Sequence, residues 1–224
     1  NRGCPFPTMA KKGCGAGLLP HPDKIAAFLD TVCAAFPGKI SVKVRLGLMD
    51  RHDLAALIPI FNDHPLSELI IHPRTGRQMY KGTVDHAAFG ELYATSRHPV
   101  VYNGDITDLE SFRVVRERFE GVQKFMLGRG LFANPLLASE LQTGEHAPLE
   151  KRFHMIFTLH DLLLEKYRER LEGPAHLYHK MTGHWEYWHL TLPKGRKFFQ
   201  RLRRLKNLND YSATVSQYRA GVLR

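Results

Sequence analysis

Polar side chains that could do chemistry recur where four apolar runs of the sequence end. The runs are ISVKVRLG, LSELIIHPRTG, PVVYNGD and VQKFMLGRG, and a helix-like stretch follows each one. At their ends stand four pairs of residues: Lys43 and Arg45, His72 and Arg74, Asn103 and Asp105, and Gly128 and Arg129. In parallel β/α folds the carboxyl ends of the strands carry the chemistry. The spacing therefore predicts one shared site built from all four runs.

Each pair indicates a particular chemistry. Lys43 and His72 come from neighbouring runs, and we expect them to face the same mouth. There a lysine can hold negative charge on a cofactor ring, and a histidine can donate a hydrogen bond or a proton. The glycine-containing loops NGD and GRG offer backbone N–H groups to a phosphate, and Arg129 could add a charge-assisted hydrogen bond.

Cysteine is the remaining reactive residue type. Cys4 lies in NRGCP, where a thiol at the mouth of a parallel sheet could act as a nucleophile or a proton donor, or be only a small packed residue. Cys14 and Cys33 are predicted to be packing residues. Three cysteines without a C-x-x-C pair disfavour a disulfide scaffold or a zinc site and fit a reducing, cytoplasmic setting. We predict no metal site.

The elements that must position these residues are strand-then-helix units. Four follow one another from Lys39 to Gln142, which is the pattern of parallel α/β architecture. The opening loop and the helix in HPDKIAAFLDTVCAAF form the back half of a fifth unit whose strand is absent. After Gln142 the apolar period is helical. We predict a β/α domain at 1–142, a linker at 143–150 and a helical domain at 151–224.

Charge separates the same two parts. The net charge is +10, and residues 1–150 carry 17 basic and 16 acidic side chains, whereas residues 151–224 carry 15 and 6. A basic helical part suggests a polyanion as partner, although a solvated basic surface would also explain it. The segment KGRKFFQRLRRLK is predicted to form a helix in which Lys197, Arg201 and Arg204 share one outward face, while an apolar stripe beside them packs inward. Its expected RNA-binding residues are Lys194, Arg196, Lys197, Arg201 and Arg204. No apolar run approaches the roughly 18 residues that a membrane span needs.

The sequence contains six short motifs in this order: N-x-G-C-P, G-x-G-A-G-L-L, V-K-V-R-x-G, H-P-R-T-G, N-G-D-I and G-R-G. Together they closely resemble the dihydrouridine synthases, flavin enzymes that reduce uridine in tRNA. The resemblance covers Asn1 to about Gln142, and the basic tail resembles the family's RNA-binding domain more loosely. It implies an FMN-binding (β/α)8 TIM barrel followed by a helical domain. The four strands would be strands five to eight, with the earlier strands missing upstream.

The resemblance also implies the roles of individual residues. NADPH would reduce FMN, hydride would pass from the flavin to C6 of a flipped uracil, and Cys4 would protonate C5. Asn1 would bind the uracil edge, with Arg45 and Arg74 near the substrate. The implied FMN contacts are Lys43, His72, Asn103, Gly104, Asp105, Gly128 and Arg129.

The resemblance implies tRNA as the partner. The complete protein is expected to be a monomer and to have no membrane partner. Two alternatives stay open. One is a small-molecule FMN oxidoreductase of the dihydroorotate dehydrogenase type, for which a strongly basic tail has no evident use. The other is a truncated, non-catalytic RNA-binding remnant.

Overall fold

The structure is a computed structural model that describes residues 4–222. Within it the chain divides into two compact units. The first unit comprises the residues up to Asp105 together with Arg113–Met126. The second comprises Ile106–Phe112 together with the residues from Leu127 onward. None of the helices described here combines the length and the apolarity that crossing a membrane requires.

Strands and helices alternate through the first part of the chain, as the sequence predicts. The elements in chain order are α1 (Pro7–Lys11), a 3₁₀ helix (Gly15–Leu18), α2 (Pro22–Ala35), β1 (Ile40–Arg45), α3 (Asp53–Asn62), β2 (Leu66–His72), α4 (His86–Thr95), β3 (Val100–Asn103), α5 (Leu109–Arg118) and β4 (Lys124–Met126). The described strands form one parallel sheet in the order β1-β2-β3-β4. The α/β class with a parallel sheet is thereby confirmed.

Side chains at the centre of the sheet are apolar because helices cover it. Val44, Leu69, Ile71 and Tyr102 have no exposed surface. Parallel pairing sets Arg45 beside His72 and, further along, Asn103 beside Met126. The carboxyl ends of the four strands therefore meet at one edge of the sheet.

The strands end earlier than the apolar runs. β2 stops at His72 because Pro73 has no N–H with which to continue the ladder. β3 stops at Asn103, and Asp105 two residues later has a φ of 45°. The motifs HPRTG and NGD are consequently loops that begin at the sheet edge.

The second unit is helical after the end of β4. Its elements are α6 (Arg129–Ala133), α7 (Leu137–Thr143), α8 (Leu149–Arg170), α9 (Pro174–Trp188), a 3₁₀ helix (His189–Thr191), α10 (Gly195–Leu202) and α11 (Leu208–Val222). An aromatic core holds α8, α9, α10 and α11 together, with Phe157, Trp185 and Tyr211 fully buried. The Tyr211 hydroxyl lies 2.9 Å from both Trp185 Nε1 and His160 Nε2.

The ends of the predicted linker 143–150 are helical in the structure, because α7 ends at Thr143 and α8 begins at Leu149. The buried carboxylate of Glu140 accepts hydrogen bonds from Arg152 Nη2 at 2.9 Å and from the Ala147 backbone N–H at 3.2 Å. This connection is therefore tied to α7 and α8. The domain boundary itself stays a prediction.

The basic segment near the carboxyl end forms a shorter helix than predicted. Phe198 and Leu202 are buried and Leu205 packs against the same core, so the predicted inward stripe is confirmed. The helix α10 ends at Leu202, however, and Arg204 lies in the turn that follows. The expectation that Arg204 shares a helical face with Lys197 and Arg201 is wrong. The chain turns there to begin α11 at Leu208.

Candidate functional site at the carboxyl edge of the sheet

The ends of β1 and β2 bring three basic side chains together. His72 is buried, and its pKa falls to about 3 because burial disfavours the imidazolium and because Arg45, Lys43 and Arg74 repel it. Burial and the nearby Arg45 likewise lower the pKa of Lys43 to about 8. Near neutral pH the edge thus carries a neutral imidazole among cations. Such an edge suits an anionic or electron-rich ligand.

Lys43 is a partly buried cation at this edge for which the described residues supply no anionic partner. Among the described residues it has no hydrogen-bond or ion-pair partner, although burial already disfavours its charge. A partly buried ammonium group normally pairs with an anion. Lys43 is therefore a candidate contact for an anionic or electron-rich ligand.

Arg45 is buried at the end of β1 and holds the loop that follows β2. Its Nη1 donates hydrogen bonds to the carbonyl oxygens of Thr75, at 2.8 Å, and Met79, at 2.6 Å. Met79 has a φ of 51°, which turns its carbonyl toward the guanidinium. The guanidinium carbon also lies 5.3 Å from the centre of the Tyr80 ring.

Arg74 is buried at the start of the same loop and pairs with Asp105. Both of its Nη atoms donate to the Asp105 carboxylate, and Nη1 to Oδ1 measures 2.8 Å. Nη1 also lies 3.3 Å from His72 Nε2. A guanidinium can only donate, so Nε2 of His72 is the acceptor and the imidazole proton resides on Nδ1. Arg74 thereby orients the imidazole.

The end of β3 approaches His72 closely. Asn103 Nδ2 donates a 2.7 Å hydrogen bond to the Met126 carbonyl and so joins the ends of β3 and β4. A Cβ at Gly104 would lie 3.0 Å from Val84 Cγ1 and 3.5 Å from His72 Cδ2. A side chain at this position would therefore crowd Val84, whereas its distance from the imidazole would be an ordinary van der Waals contact.

The Cys4 loop lies against the loops that follow β1 and β2. The Cys4 carbonyl accepts a 2.9 Å hydrogen bond from the Ala16 N–H. The Ala16 Cβ in turn would lie 3.0 Å from a Cβ placed on Gly76, and the Gly76 N–H bonds to the Gly47 carbonyl at 2.8 Å. The partly exposed thiol of Cys4 is thus carried on the side of the sheet where the strands end. Asn1, the predicted uracil ligand, lies outside the described residues.

Gly128 and Arg129 belong to the second unit. Arg129 is the first residue of α6, and Gly128 precedes it. A Cβ on Gly128 would meet no atom within 4 Å, so the space beside this backbone is open, whereas Gly130 is buried against the Ile106 carbonyl. Their predicted role at a phosphate stays a prediction.

Tyr80 is the site residue that the sequence analysis did not single out. Its ring centre lies 6.4 Å from that of His72, and 44% of the residue is exposed. A cleft of about 540 Å³ adjoins the same loop and is lined by Leu46, Met49, Asp50, Arg51, Thr75, Gln78 and Asp85. The available signal was an aromatic residue shortly after HPRTG. The sequence could not show that Arg45 folds this loop back onto the strand end.

Among residues 4–222, no group of three or more His, Cys, Asp or Glu side chains is arranged so that it could hold a metal ion. The sheet edge offers a cation that no described residue pairs with, a neutral imidazole, a thiol-bearing loop and an exposed aromatic ring. A β/α protein with its site at the carboxyl ends of parallel strands is the class that this geometry defines.

Comparison with known proteins identifies the family within that class. Residues 1–220 match the family model described as dihydrouridine synthase (Dus), and the chain belongs to this family. It is 28% identical over 229 residues to tRNA-dihydrouridine synthase B of Pseudomonas aeruginosa, covering 97% of this chain and 66% of that protein. It is 33% identical over 156 residues to tRNA-dihydrouridine synthase B of Shewanella oneidensis, covering 67% and 48%. The chain therefore spans between about half and two thirds of the length of these relatives.

Proposed function

We propose that this chain takes part in the flavin-dependent reduction of uridine to 5,6-dihydrouridine in tRNA. The observation that carries the proposal is Lys43, a partly buried cation without a partner among the described residues, beside neutral His72 in a chain of the dihydrouridine synthase family. We further propose that the four-stranded sheet is part of an FMN-binding (β/α)8 barrel. Residues 151–224 would then be its tRNA-binding domain.

The residues at the sheet edge fit a flavin. Lys43 would hold the electron-rich N1/O2 edge of the ring, where a cation stabilises the negative charge of the reduced form. His72 is neutral and would contact flavin or substrate through its Nδ1–H. Asn103, Gly104, Gly128 and Arg129 would hold the ribityl and phosphate groups. When bound, FMN reduced by NADPH supplies the hydride.

Cys4 would hold the proton. Its thiol Sγ–H would give this proton to C5 of the uracil while the hydride arrives at C6, which together saturate the C5–C6 bond. The uracil must leave its stack in the folded RNA to enter such a site. The Arg45 guanidinium lies beside the Tyr80 ring. We propose that the uracil binds next to these two residues.

Two alternatives were open from the sequence. Membership of the dihydrouridine synthase family argues against an oxidoreductase of the dihydroorotate dehydrogenase type. The RNA-binding remnant remains the second candidate, because the chain spans only part of the length of its relatives.

FMN binding by the purified chain tests the proposal. We expect titration with FMN to quench flavin fluorescence, and Lys43→Met to weaken binding at least tenfold. Lys39→Met is the matched control, since Lys39 is an exposed lysine just before β1. Incubation with FMN, NADPH and unmodified tRNA should then yield dihydrouridine. If the chain binds tRNA but not FMN, the proposed enzymatic function is refuted and the RNA-binding remnant is supported.

A further inference from the structure

The loop 75–82, called here the Tyr80 loop, is held on its inner side by two buried arginines. Arg45 binds the carbonyls of Thr75 and Met79 in its first part. Arg74 binds the carbonyls of its last part, with Nε 3.3 Å from Lys81 O and Nη2 2.6 Å from Gly82 O. These side-chain hydrogen bonds add to the two backbone hydrogen bonds that the loop makes with the segment after β1, from the Gly76 and Arg77 N–H groups to the carbonyls of Gly47 and Leu48 at 2.8 and 2.9 Å.

Arg74 has no hydrogen left for a substrate. A guanidinium group carries five N–H donors. The structure gives Arg74 five acceptors, which are the two carboxylate oxygens of Asp105, His72 Nε2 and the carbonyls of Lys81 and Gly82. All five are protein groups, and only 1% of the side chain is exposed. The group can act on a reaction only through the residues that it holds.

Asp105 supplies the opposite charge that makes this arrangement stable. Arg45, Lys43 and Arg74 all lie close enough to lower the pKa of His72, and Asp105 is the acidic group that acts on His72 against these cations. A buried charge without its partner is strongly destabilising. Bidentate pairing also fixes the plane of the guanidinium, and with it the direction of the other three donors.

We propose that Arg74 and Asp105 are a positioning pair that holds the Tyr80 loop, and with it the Tyr80 ring, beside His72. This assigns Arg74 and Asp105 roles other than the direct substrate and cofactor contacts that the resemblance implies. The functional meaning of the pair rests on the proposed function, because the loop would border the bound pyrimidine. The loop order itself depends on neither flavin nor RNA.

Trypsin offers a direct test, because Arg77 and Lys81 are exposed cleavage sites within the loop. Arg74→Lys keeps the charge but cannot supply the fork of donors, and Asp105→Asn keeps the size but removes the charge. We expect both variants to be cut after Arg77 and Lys81 at least tenfold faster than the unmodified chain, with cleavage elsewhere unchanged. Lys124→Ala is the control, since it removes an exposed ion pair with Glu68 in the same unit.

A spectroscopic signature accompanies the cleavage rates. The chain is labelled with 3-fluorotyrosine, and the Tyr80 signal is assigned by its loss in Tyr80→Phe. In both variants this signal should move from that of the partly covered Tyr80 ring toward the position of a fully solvated tyrosine, while that of the buried Tyr102 stays in place. An unchanged Tyr80 signal and wild-type cleavage in Arg74→Lys would overturn the proposal, since charge alone would then suffice. General cleavage and loss of all signals in both variants would also overturn it, because the pair would then support the whole unit.

Neither readout requires FMN, NADPH or tRNA. Failure of the chain to bind flavin would therefore refute the proposed function while leaving the positioning pair supported. Conversely, an intact Tyr80 loop in the variants would refute the proposed positioning pair, and the evidence from Lys43 for the proposed function would be unaffected.

Discussion

Lys43 and Arg74 show two opposite ways in which a protein treats a cation at the end of a strand. Arg74 has an acceptor for each of its N–H groups and an anion in bidentate contact, so its charge is compensated within the fold. Lys43 has neither among the described residues, and its pKa is lowered to about 8. Residue type alone does not distinguish a structural cation from a binding one. The list of partners does.

The lowered pKa of Lys43 predicts a pH-dependent cost to stability. In the unfolded chain this lysine stays protonated up to about pH 10.5, whereas in the folded chain it loses its proton near pH 8. Below pH 8 the fold therefore bears the full penalty, which is relieved as the pH rises toward 10.5. Lys43→Met should raise the free energy of unfolding at pH 7 by about 1–3 kcal/mol, and the gain should disappear above about pH 10.5.

Urea unfolding at pH 7 and at pH 10.5 measures this effect, with Lys39→Met as the control. Equal stability of the two variants at pH 7 would mean that Lys43 is solvated or paired in solution. The same Lys43→Met substitution is expected to weaken FMN binding. Stability gained at the expense of binding is the pattern expected of a functional residue.

Cys4 is expected to act as the proton donor of the proposed reaction. Cys4→Ala should leave the reduction of flavin by NADPH unchanged and lower dihydrouridine formation about 10²–10⁴-fold, the usual contribution of a positioned acid. Cys14→Ala is the matched control, because that thiol is also partly exposed but lies 3.7 Å from the Lys12 carbonyl. Flavin bleaching without oxygen and the dihydrouridine content of the tRNA are the two measurements. Similar dihydrouridine yields from both variants would mean that a group other than Cys4 donates the proton.

At the scale of elements, the segments between strands and helices decide the site. Pro73 ends β2, a positive φ at Met79 turns the Tyr80 loop, and Asp85 caps α4 by accepting from the Ala88 N–H at 2.9 Å. The Asp85 carboxylate also binds Arg51 Nη1 at 2.7 Å, which joins the loop after β1 to the start of α4. The sheet supplies the platform, and these loops determine what lies on it.

The Cys4 loop depends on a glycine at one position. Gly15 has a φ of 58°, and a Cβ there would lie 2.5 Å from the Cys4 carbonyl oxygen. Gly13 also has a positive φ of 67°, but a Cβ there meets nothing within 4 Å. Gly13→Ala should therefore cost about 1 kcal/mol through backbone strain alone. Gly15→Ala should cost more and also displace Cys4.

Thiol reactivity separates these two effects. The rate at which Cys4 reacts with an aromatic disulfide reagent, measured in a Cys14→Ala background, should change several-fold in Gly15→Ala and stay constant in Gly13→Ala. Equal rates in all three proteins would show that the Cys4 loop accommodates the added methyl group without moving.

On the scale of the whole molecule, charge is distributed unevenly along the chain. Residues 151–224 carry 15 basic and 6 acidic side chains, and they form the larger part of the helical second unit. The apolar side of α10 is buried, whereas Arg201 and Arg204 are exposed. Phosphate contacts of such residues release counterions and make RNA affinity dependent on salt.

Under the proposed function, replacing Arg201 and Arg204 by alanine should weaken tRNA binding and reduce the slope of log K against log salt by about 1.4–1.8, because each lost phosphate contact contributes roughly 0.7–0.9. Binding measured at several salt concentrations gives this slope. The control is Arg168→Ala with Arg170→Ala, two exposed arginines at the end of α8. If both double variants change the slope equally, the basic residues attract RNA through their overall charge and not through particular phosphate contacts of Arg201 and Arg204. If neither does, the basic part is merely solvated surface.

The sequence by itself determined the order of the elements and the family. Apolar runs with β-branched residues, helical periodicity and breakers such as Pro73 act over a few neighbouring residues, so β1 to β4 and the long helices lie where their patterns predict. The six ordered motifs were sufficient for the dihydrouridine synthase resemblance. The same local patterns indicated the strand-end residues, of which Lys43, Arg45 and His72 come together at the carboxyl edge of the sheet.

Only the tertiary structure decided what each of these residues contacts. Arg45 binds a carbonyl 34 residues away, and Arg74 pairs with a carboxylate 31 residues away, so no local pattern contains either contact. Tyr80 enters the site for the same reason, because Arg45 and Arg74 draw its loop back onto the strand ends. Helix α10 likewise ends at Leu202 instead of continuing through Arg204, because the chain must turn there to lay α11 over the aromatic core. Such contacts depend on distances across the fold, which residue spacing along the chain does not contain.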